Sequence, residues 1–350
     1  VSPFPEDLWQ WLAETSAQTG ANFVAIPHNS NISKNVMFAD KTLRGEPFDA
    51  EYAATRLKWE PVVEITQIKG DSETHPDLSP DDPFADFETY PFYIQRDATP
   101  YVAGQGDYIR SALKLGLGIE REVGQNPYQF GLIGSTDAHT GMASAEEDNF
   151  HGKLAQDSIP ENKVGGAIAG SVTGWDMSAS GLAAVWAEEN TRESILAAMK
   201  RREVYATSGP RIGVQFFAGS GITEDLLQAE DVYAAATAVG VPMGGELSSL
   251  AGDAPAFLVR AVKDPMGANL DRIQIVKGWL EEGGQLREQV FDVAWSGSRL
   301  PDSSGKVPPV GDTVDRATAT YTNDIGAPEL ATVWRCLLYT SDAADEHRDV

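Results

Sequence analysis

The chain has 350 residues, with 52 acidic against 27 basic side chains and a formal charge of −25 with histidine neutral. Such a surface repels nucleic-acid phosphates unless a local basic stripe overrides it; the densest basic group, Lys200-Arg201-Arg202, instead ends an amphipathic segment, where a helix C-terminus favours cations. The hydrophobic content of 42% and the length suit one large domain or two, and no apolar run approaches the ~18 residues that a membrane span needs.

Residues 5–19 open with proline and acids, carry Leu8, Trp11 and Leu12 at helical spacing, and stop at Gly20, which predicts a helix. A strand is expected at Phe23–Ile26, then a helix from Asp49 to Trp59 and a β-branched strand from Pro61 to Ile68. The next unit repeats the scheme, with a helix from Asp107 to Val123 that Gly124 ends and a strand over Phe130–Ile133. A further helix starts at Asn190, which has capping-box spacing to Glu193, runs to about Arg202, and leads into Val204–Thr207. This alternation predicts an α/β fold whose parallel sheet is wrapped by helices.

Two long irregular stretches, 70–103 and 141–188, have the length of functional rims or lids. From about Ile212 the pattern changes to short alternating runs between turn residues, such as Phe257–Val262 and Ile273–Val276. They read as a β-sandwich-like region over 212–335, with the boundary near Arg211. The only cysteine, Cys336, opens a string through Glu346 that resembles the translation of a transposon sequencing adapter, so 336–350 is expected to be an artefact tail outside the fold. A lone thiol forms no internal disulfide and fixes no compartment. With the tail set aside, the histidines are His28, His75, His139 and His151.

In parallel α/β folds, loops converge over the C-terminal ends of the strands, so polar residues there carry chemistry. Three predicted strands end that way: Pro27-His28-Asn29 after the first, Glu64 within the second followed by Lys69-Gly70-Asp71 and His75, and Ser135-Thr136-Asp137-Ala138-His139 after the third. Asp137 and His139, two apart in extended chain, can turn to one side as half of a metal site, although for the pair taken alone a turn in which Asp137 caps the next segment and His139 is exposed is the simpler reading. Glu64, flanked by Val62, Val63 and Ile65, is costly to bury without a cation; a metal or a lysine such as Lys69 would serve. It faces either the inside of a barrel or a helix on the outside. His28 completes a set of four metal-ligand candidates, His28, Glu64, Asp137 and His139. His75 is a candidate ligand or proton donor. Arg211, in Thr207-Ser208-Gly209-Pro210-Arg211, is either an anion clamp or part of an interdomain turn. His151 follows the acidic run Glu146-Glu147-Asp148, and both read as solvated surface. Gly104-Gln105-Gly106 lacks the context of a dinucleotide loop, and neither a phosphate-cradling loop nor a serine-hydrolase elbow occurs.

Together, Ile26-Pro27-His28-Asn29, the Glu64 strand running into Lys69-Gly70-Asp71, the Ser135–His139 block and Tyr205–Arg211 resemble a number-designated, unknown-function branch of the polymerase and histidinol phosphatase (PHP) superfamily. The resemblance extends to about Trp334. It implies a distorted (β/α)7 barrel holding two or three divalent metals (Mn, Zn or Fe) and hydrolysis, usually of phosphoesters, by a metal-bound hydroxide. Carried over by motif, His28, Glu64, Asp137 and His139 would be metal ligands. Asp137 would also take the water's proton; loop position, not motif, makes His75 a catalytic candidate and Lys69, Asn29 and Arg211 candidates for gripping a small anionic substrate. The opening H-x-H motif of that superfamily is absent, so residues 1–211 are expected to be the C-terminal part of a barrel within a longer enzyme. Hydrolysis of C–N or carboxylic ester bonds, and non-catalytic binding through the β-rich half, are the alternatives.

Overall fold

The computed structural model describes residues 2–93, 99–142, 152–156, 158–165, 173–247 and 254–336. The chain divides into two compact units, Val1–Gly209 and Pro210–Val350. His151, the acidic run 146–148 and positions 337–350 of the adapter-like string lie outside the described residues. Among the described residues no helix is long and apolar enough to cross a membrane.

The fold is mixed α/β, with several small sheets, and the described residues form no closed barrel. In the first unit, α1 (Pro5–Thr19) begins with proline in its first turn and ends at Gly20, whose φ of 72° lies in the left-handed region that glycine adopts without penalty. Helix α2 (Ala50–Trp59) is capped by the Asp49 carboxylate, which accepts the Tyr52 N–H at 2.7 Å. β1 (Val62–Gln67) is buried along its whole length. A two-residue turn, Ile68-Lys69, folds it back on β2 (Gly70–Asp71). On its other side β1 pairs in parallel with β3 (Gly131–Gly134), which follows α3 (Ile109–Val123).

Three expectations are corrected. Phe23–Ile26 forms no regular strand; its segment meets the β1 region through two backbone bonds, Ala25 N–H to Trp59 O at 2.7 Å and Glu64 N–H to Pro27 O at 3.0 Å. Pro27 has no N–H with which to extend that ladder. Helix α5 (Arg192–Arg201), which follows the short α4 (Pro160–Gly165), is capped by Thr191 rather than Asn190: the Thr191 hydroxyl accepts the Ser194 N–H at 3.3 Å. Finally, the last strands of this unit, β4 (Leu182–Val185) and β5 (Val204–Thr207), pair with each other antiparallel.

The β4–β5 ribbon runs tight against β3. A Cβ on Gly134 would lie 2.7 Å from Leu182 O and 2.9 Å from Thr207 O, so only glycine allows the approach. One face of β1, through Val63 and Ile65, packs with Ile109, Ala112 and Ile119 of α3 and the rings of Phe38, Phe48, Tyr128 and Phe130. The other face begins with Val62, which packs with Ile133 and Val204. Glu64 shares that second face by alternation, so it points away from α3. The register shifts between Glu64 and Thr66, and such an irregularity re-aims side chains at a strand end.

The second unit is built on a four-stranded antiparallel sheet. In spatial order it comprises β11 (Glu329–Arg335), β8 (Ala256–Val262), β6 (Gly213–Gly219) and β7 (Val241–Pro242). Strands β9 (Arg272–Leu280) and β10 (Leu286–Trp295) form a separate hairpin. Val259, Ala261 and Leu330 on one sheet face pack with Ile273 and Val293 of the hairpin, which gives the two-sheet contact of a sandwich. The opposite face is covered differently. Phe217, Ala256 and Leu258 meet Val232 and Ala236 of α6 (Val232–Thr237), with Leu226 and Leu227 of the preceding 3-10 turn packed alongside. Helical cover on that face was not expected from the alternating runs.

Candidate functional site

The C-terminal ends of β1 and β3 lie side by side, and the Ser135 N–H donates to Thr66 O at 3.0 Å to extend their contact. Glu64 is buried there. Its Oε2 accepts the Ser135 hydroxyl, and its Oε1 accepts the Asn29 N–H at 3.4 Å. Burial pushes the Glu64 carboxyl above its ordinary value, against the opposing pull of the Ser135 hydroxyl, the His28 charge and the Asn29 N–H; the Asp137 charge pushes the same way as burial.

Asp137 sits at φ 51°, a left-handed conformation in which aspartate is tolerated better than bulky residues. Its carboxylate Oδ2 receives two ammonium groups, those of Lys69 and Lys153. Lys153 Nζ also donates to the Asp137 carbonyl at 3.1 Å, and the His139 N–H donates to Lys153 O at 2.6 Å, which ties segment 152–156 to this loop. All three side chains are nearly enclosed: Lys69 is 8% exposed, Lys153 11% and Asp137 11%. Burial pulls the Asp137 carboxyl upward, but the two ammonium groups outweigh it and hold the group below the usual carboxylate range. For Lys69, burial dominates; with Lys153 adding to it and Asp137 opposing, the ammonium is brought down to about 8.

Lys69 owes its position to the β1–β2 turn. Gly70 follows at φ 97°, and a Cβ there would lie 2.6 Å from Tyr90 Cβ and 2.8 Å from Glu88 O. The buried Gln67 locks the turn: its Oε1 accepts the Lys69 N–H at 2.7 Å and the Lys69 Nζ at 3.4 Å, while its amide donates to the Asn29 side chain. Asn29 is itself at φ 58°.

Of the expected residues, Glu64, Asp137, Lys69 and Asn29 meet at the strand ends. His28 is exposed with its Nδ1 2.6 Å from Asn29 Nδ2, near enough for its charge to act on Glu64. His139 is exposed, its Nδ1 2.8 Å from the Asp137 carbonyl and 3.7 Å from Asp137 Oδ1. His75 is packed elsewhere, its ring 5.7 Å from that of Tyr108 and 6.1 Å from that of Tyr101, with Nδ1 accepting the Asp77 N–H at 3.2 Å. Arg211 belongs to the second unit, where its N–H donates to the Asp264 carboxylate at 2.6 Å. Sequence reasoning missed Lys153 and Ser135 as participants. Ser135 stood inside the recognised block and could have been found as the nearest hydroxyl to Glu64. Lys153 stands in no periodic context and had no such signal.

A divalent cation does not fit these side chains as they are arranged. Among the described residues no three His, Cys, Asp or Glu side chains are grouped to hold a metal, and the Asp137 carboxylate that would coordinate one is already satisfied by two ammonium groups. A cavity of about 470 Å³ opens at the other end of β1, lined by Ala17, Phe23, Trp59, Pro61 and Lys200 among others, and it contains none of the expected site residues.

Residues 1–344 match the family model described as protein of unknown function (DUF3604), and the chain belongs to that family. No curated protein and no solved structure matches the chain.

Proposed function

We propose that the chain carries the strand-end site of a hydrolase acting on small anionic esters, phosphoesters first, within an incomplete (β/α)7 barrel of the PHP type followed by a sandwich-like domain. The observation that supports this reading best is the meeting of Glu64, Asp137 and Lys69, from two strand ends and the adjoining turn, in one nearly enclosed polar cluster. Enclosure strengthens each of these charges relative to water, which is what stabilising developing negative charge requires. Glu64, biased towards its protonated form, is suited to pass a proton to or from a reacting oxygen. Lys69 grips the anionic group, and Asp137 fixes the ammonium that does so. The PHP resemblance implies Mn, Zn or Fe; because the side chains do not fit such an ion, no step here runs through one.

The test is hydrolysis of p-nitrophenyl phosphate, bis-p-nitrophenyl phosphate and p-nitrophenyl acetate, with chelator and with each of Mn, Zn and Fe. The phosphoesters should turn over and Asp137→Asn should abolish that turnover. Activity on the acetate alone, or an Asp137→Asn protein with undiminished rate, defeats the reading.

A further inference from the structure

We infer that the cavity at the other end of β1 from Asp137 binds a small aromatic carboxylate, with the ring among Phe23, Leu57 and Trp59 and the carboxylate between Lys58 and Lys200. Nothing in this inference depends on the hydrolase reading.

The space exists because of residue size. Ala13 and Ala17 are one helical turn apart on α1, and their methyl groups leave open the gap between α1, the end of α2 and the approach to β1. The gap of about 470 Å³ falls within the roughly 300–1,000 Å³ typical of small-molecule sites. Its apolar wall is firm. Trp59 is 7% exposed and packs with Trp9 and Leu12, and Pro61 is buried. Trp59 O accepts the Ala25 N–H at 2.7 Å, which holds the Phe23 segment in place, and the half-buried Phe23 ring lies 6.1 Å from that of Trp11. Walls fixed before a ligand arrives favour a planar ring over a flexible chain, because neither partner loses much freedom on binding.

Charge then selects an anion. Lys58 of α2 and Lys200 of α5 line the same cavity, and among the described residues neither is paired with a carboxylate. Lys58 Nζ lies 4.9 Å from the Trp59 ring centroid, and Lys200 Nζ donates only a long bond, 3.4 Å, to Asn22 Oδ1. A helix C-terminus accounts for Lys200 as a cation. It does not account for a second such lysine, from another helix, at one cavity of a chain whose net charge is −25. No acidic side chain among the described residues lines this cavity. An adjoining cavity of about 430 Å³ shares Ala13, Lys58 and Trp59, but Glu6, Asp49 and Glu51 in its walls repel an anion. A carboxylate offers one oxygen to each ammonium, and the remaining apolar wall demands a ring behind it.

Isothermal titration of the whole chain with indole-3-acetate tests this, with indole-3-acetamide as the uncharged control and acetate as the control without a ring. Indole-3-acetate should bind once per chain, and both controls at least tenfold more weakly. Lys58, Lys200 and Ala17 are all exposed, so their substitution should leave thermal melting unchanged. Lys58→Met and Lys200→Met should each weaken binding threefold or more and the double variant tenfold or more, while Lys200→Arg keeps most of the affinity. Ala17→Trp fills the cavity and should abolish binding. The inference is overturned if acid and amide bind alike, if the folded double variant binds unchanged, or if Ala17→Trp binds undiminished. It is equally overturned if neither titration nor saturation-transfer NMR detects indole-3-acetate at millimolar concentration, or if the chain forms a dimer that Ala17→Trp dissociates, which gives the cavity to a second copy.

Discussion

Lys69 should cost the protein stability, and the size of that cost can be worked out. Its ammonium falls from an ordinary 10.5 to about 8 because burial outweighs the attraction of Asp137. At about 1.4 kcal/mol for each tenfold change in a protonation equilibrium, the charged form is disfavoured on folding by about 3 kcal/mol. The sign follows from proton counting. Between about 8 and 10.5 the unfolded chain holds the Lys69 proton and the folded chain releases it, so stability rises with pH through that window and its full deficit lies below about 8. Replacing Lys69 with Met removes the charge, keeps the apolar stem and leaves Asp137 paired with Lys153. At pH 7 the Lys69→Met protein should therefore be the more stable, by up to about 3 kcal/mol, and the difference should shrink towards zero by pH 10.5. Urea midpoints of both proteins across pH 6.5–10.5 measure this, and subtraction cancels the groups common to both. A variant that is less stable at pH 7, or a difference flat in pH, would refute the claim that burial governs this lysine.

Other substitutions probe the frame around the site. Gly134→Ala drives a methyl into Leu182 O and Thr207 O and should lower stability by about 2 kcal/mol or more, read as a shift in the urea midpoint; a neutral effect would mean that the β4–β5 ribbon is not tight against β3. Burial, aided by the Glu73 charge, holds the Asp71 carboxyl well above its ordinary value, so stability should fall as pH rises from that ordinary value through the raised one. Asp71→Asn should remove this slope and stabilise the chain near pH 7 by on the order of 1–3 kcal/mol, and an unchanged slope in thermal melts from pH 4 to 8 would count against it. Arg56→Met leaves Glu60 buried with the Trp9 indole N–H, 2.9 Å away, as its remaining side-chain donor among the described residues, and strips the guanidinium from the Tyr128 ring at 4.7 Å. The expected loss is about 3–5 kcal/mol, largely recovered when Glu60→Gln is added.

Helix ends and the two parallel strands were readable from the sequence because punctuation and periodicity there are local. Pro5 and Gly20 bracket α1, Gly124 closes α3, and the β-branched run at 62–67 is a strand. Phe23–Ile26 misled because its composition suits a strand while Pro27 withholds a ladder donor, and composition does not count hydrogen bonds. The close approach of the antiparallel β4–β5 ribbon to β3 depends on Gly131 and Gly134, a long-range steric fact with no periodicity of its own. At the site, the burial of Glu64 followed from its apolar flanks, and its direction was settled once Val63 and Ile65 were seen against α3. Lys69 was legible as a possible partner of Glu64, yet its ammonium goes to Asp137. Lys153 was invisible because it reaches Asp137 across a long irregular stretch, where nothing local fixes distance.

The central strand of the second unit has two interiors, with Ala256 and Leu258 towards the helical cover and Val259 and Ala261 towards the hairpin. In a sheet with one wet face, a slip by one residue is punished because greasy side chains surface. Here a slipped β8 would exchange one dry environment for another along Ala256–Val259; Arg260, paired with Glu329 at 2.7 Å, marks the alignment by charge, but oiliness along the rest could not tell the two apart. Discrimination falls to volume: Phe257 stacks beside Phe216 and meets Trp334 on the hairpin side, whereas small Ala256 is what the helical side accommodates. Apolar swaps that scramble large and small along this strand should therefore yield chains that collapse fully and yet align wrongly, a failure that solubility screens would pass.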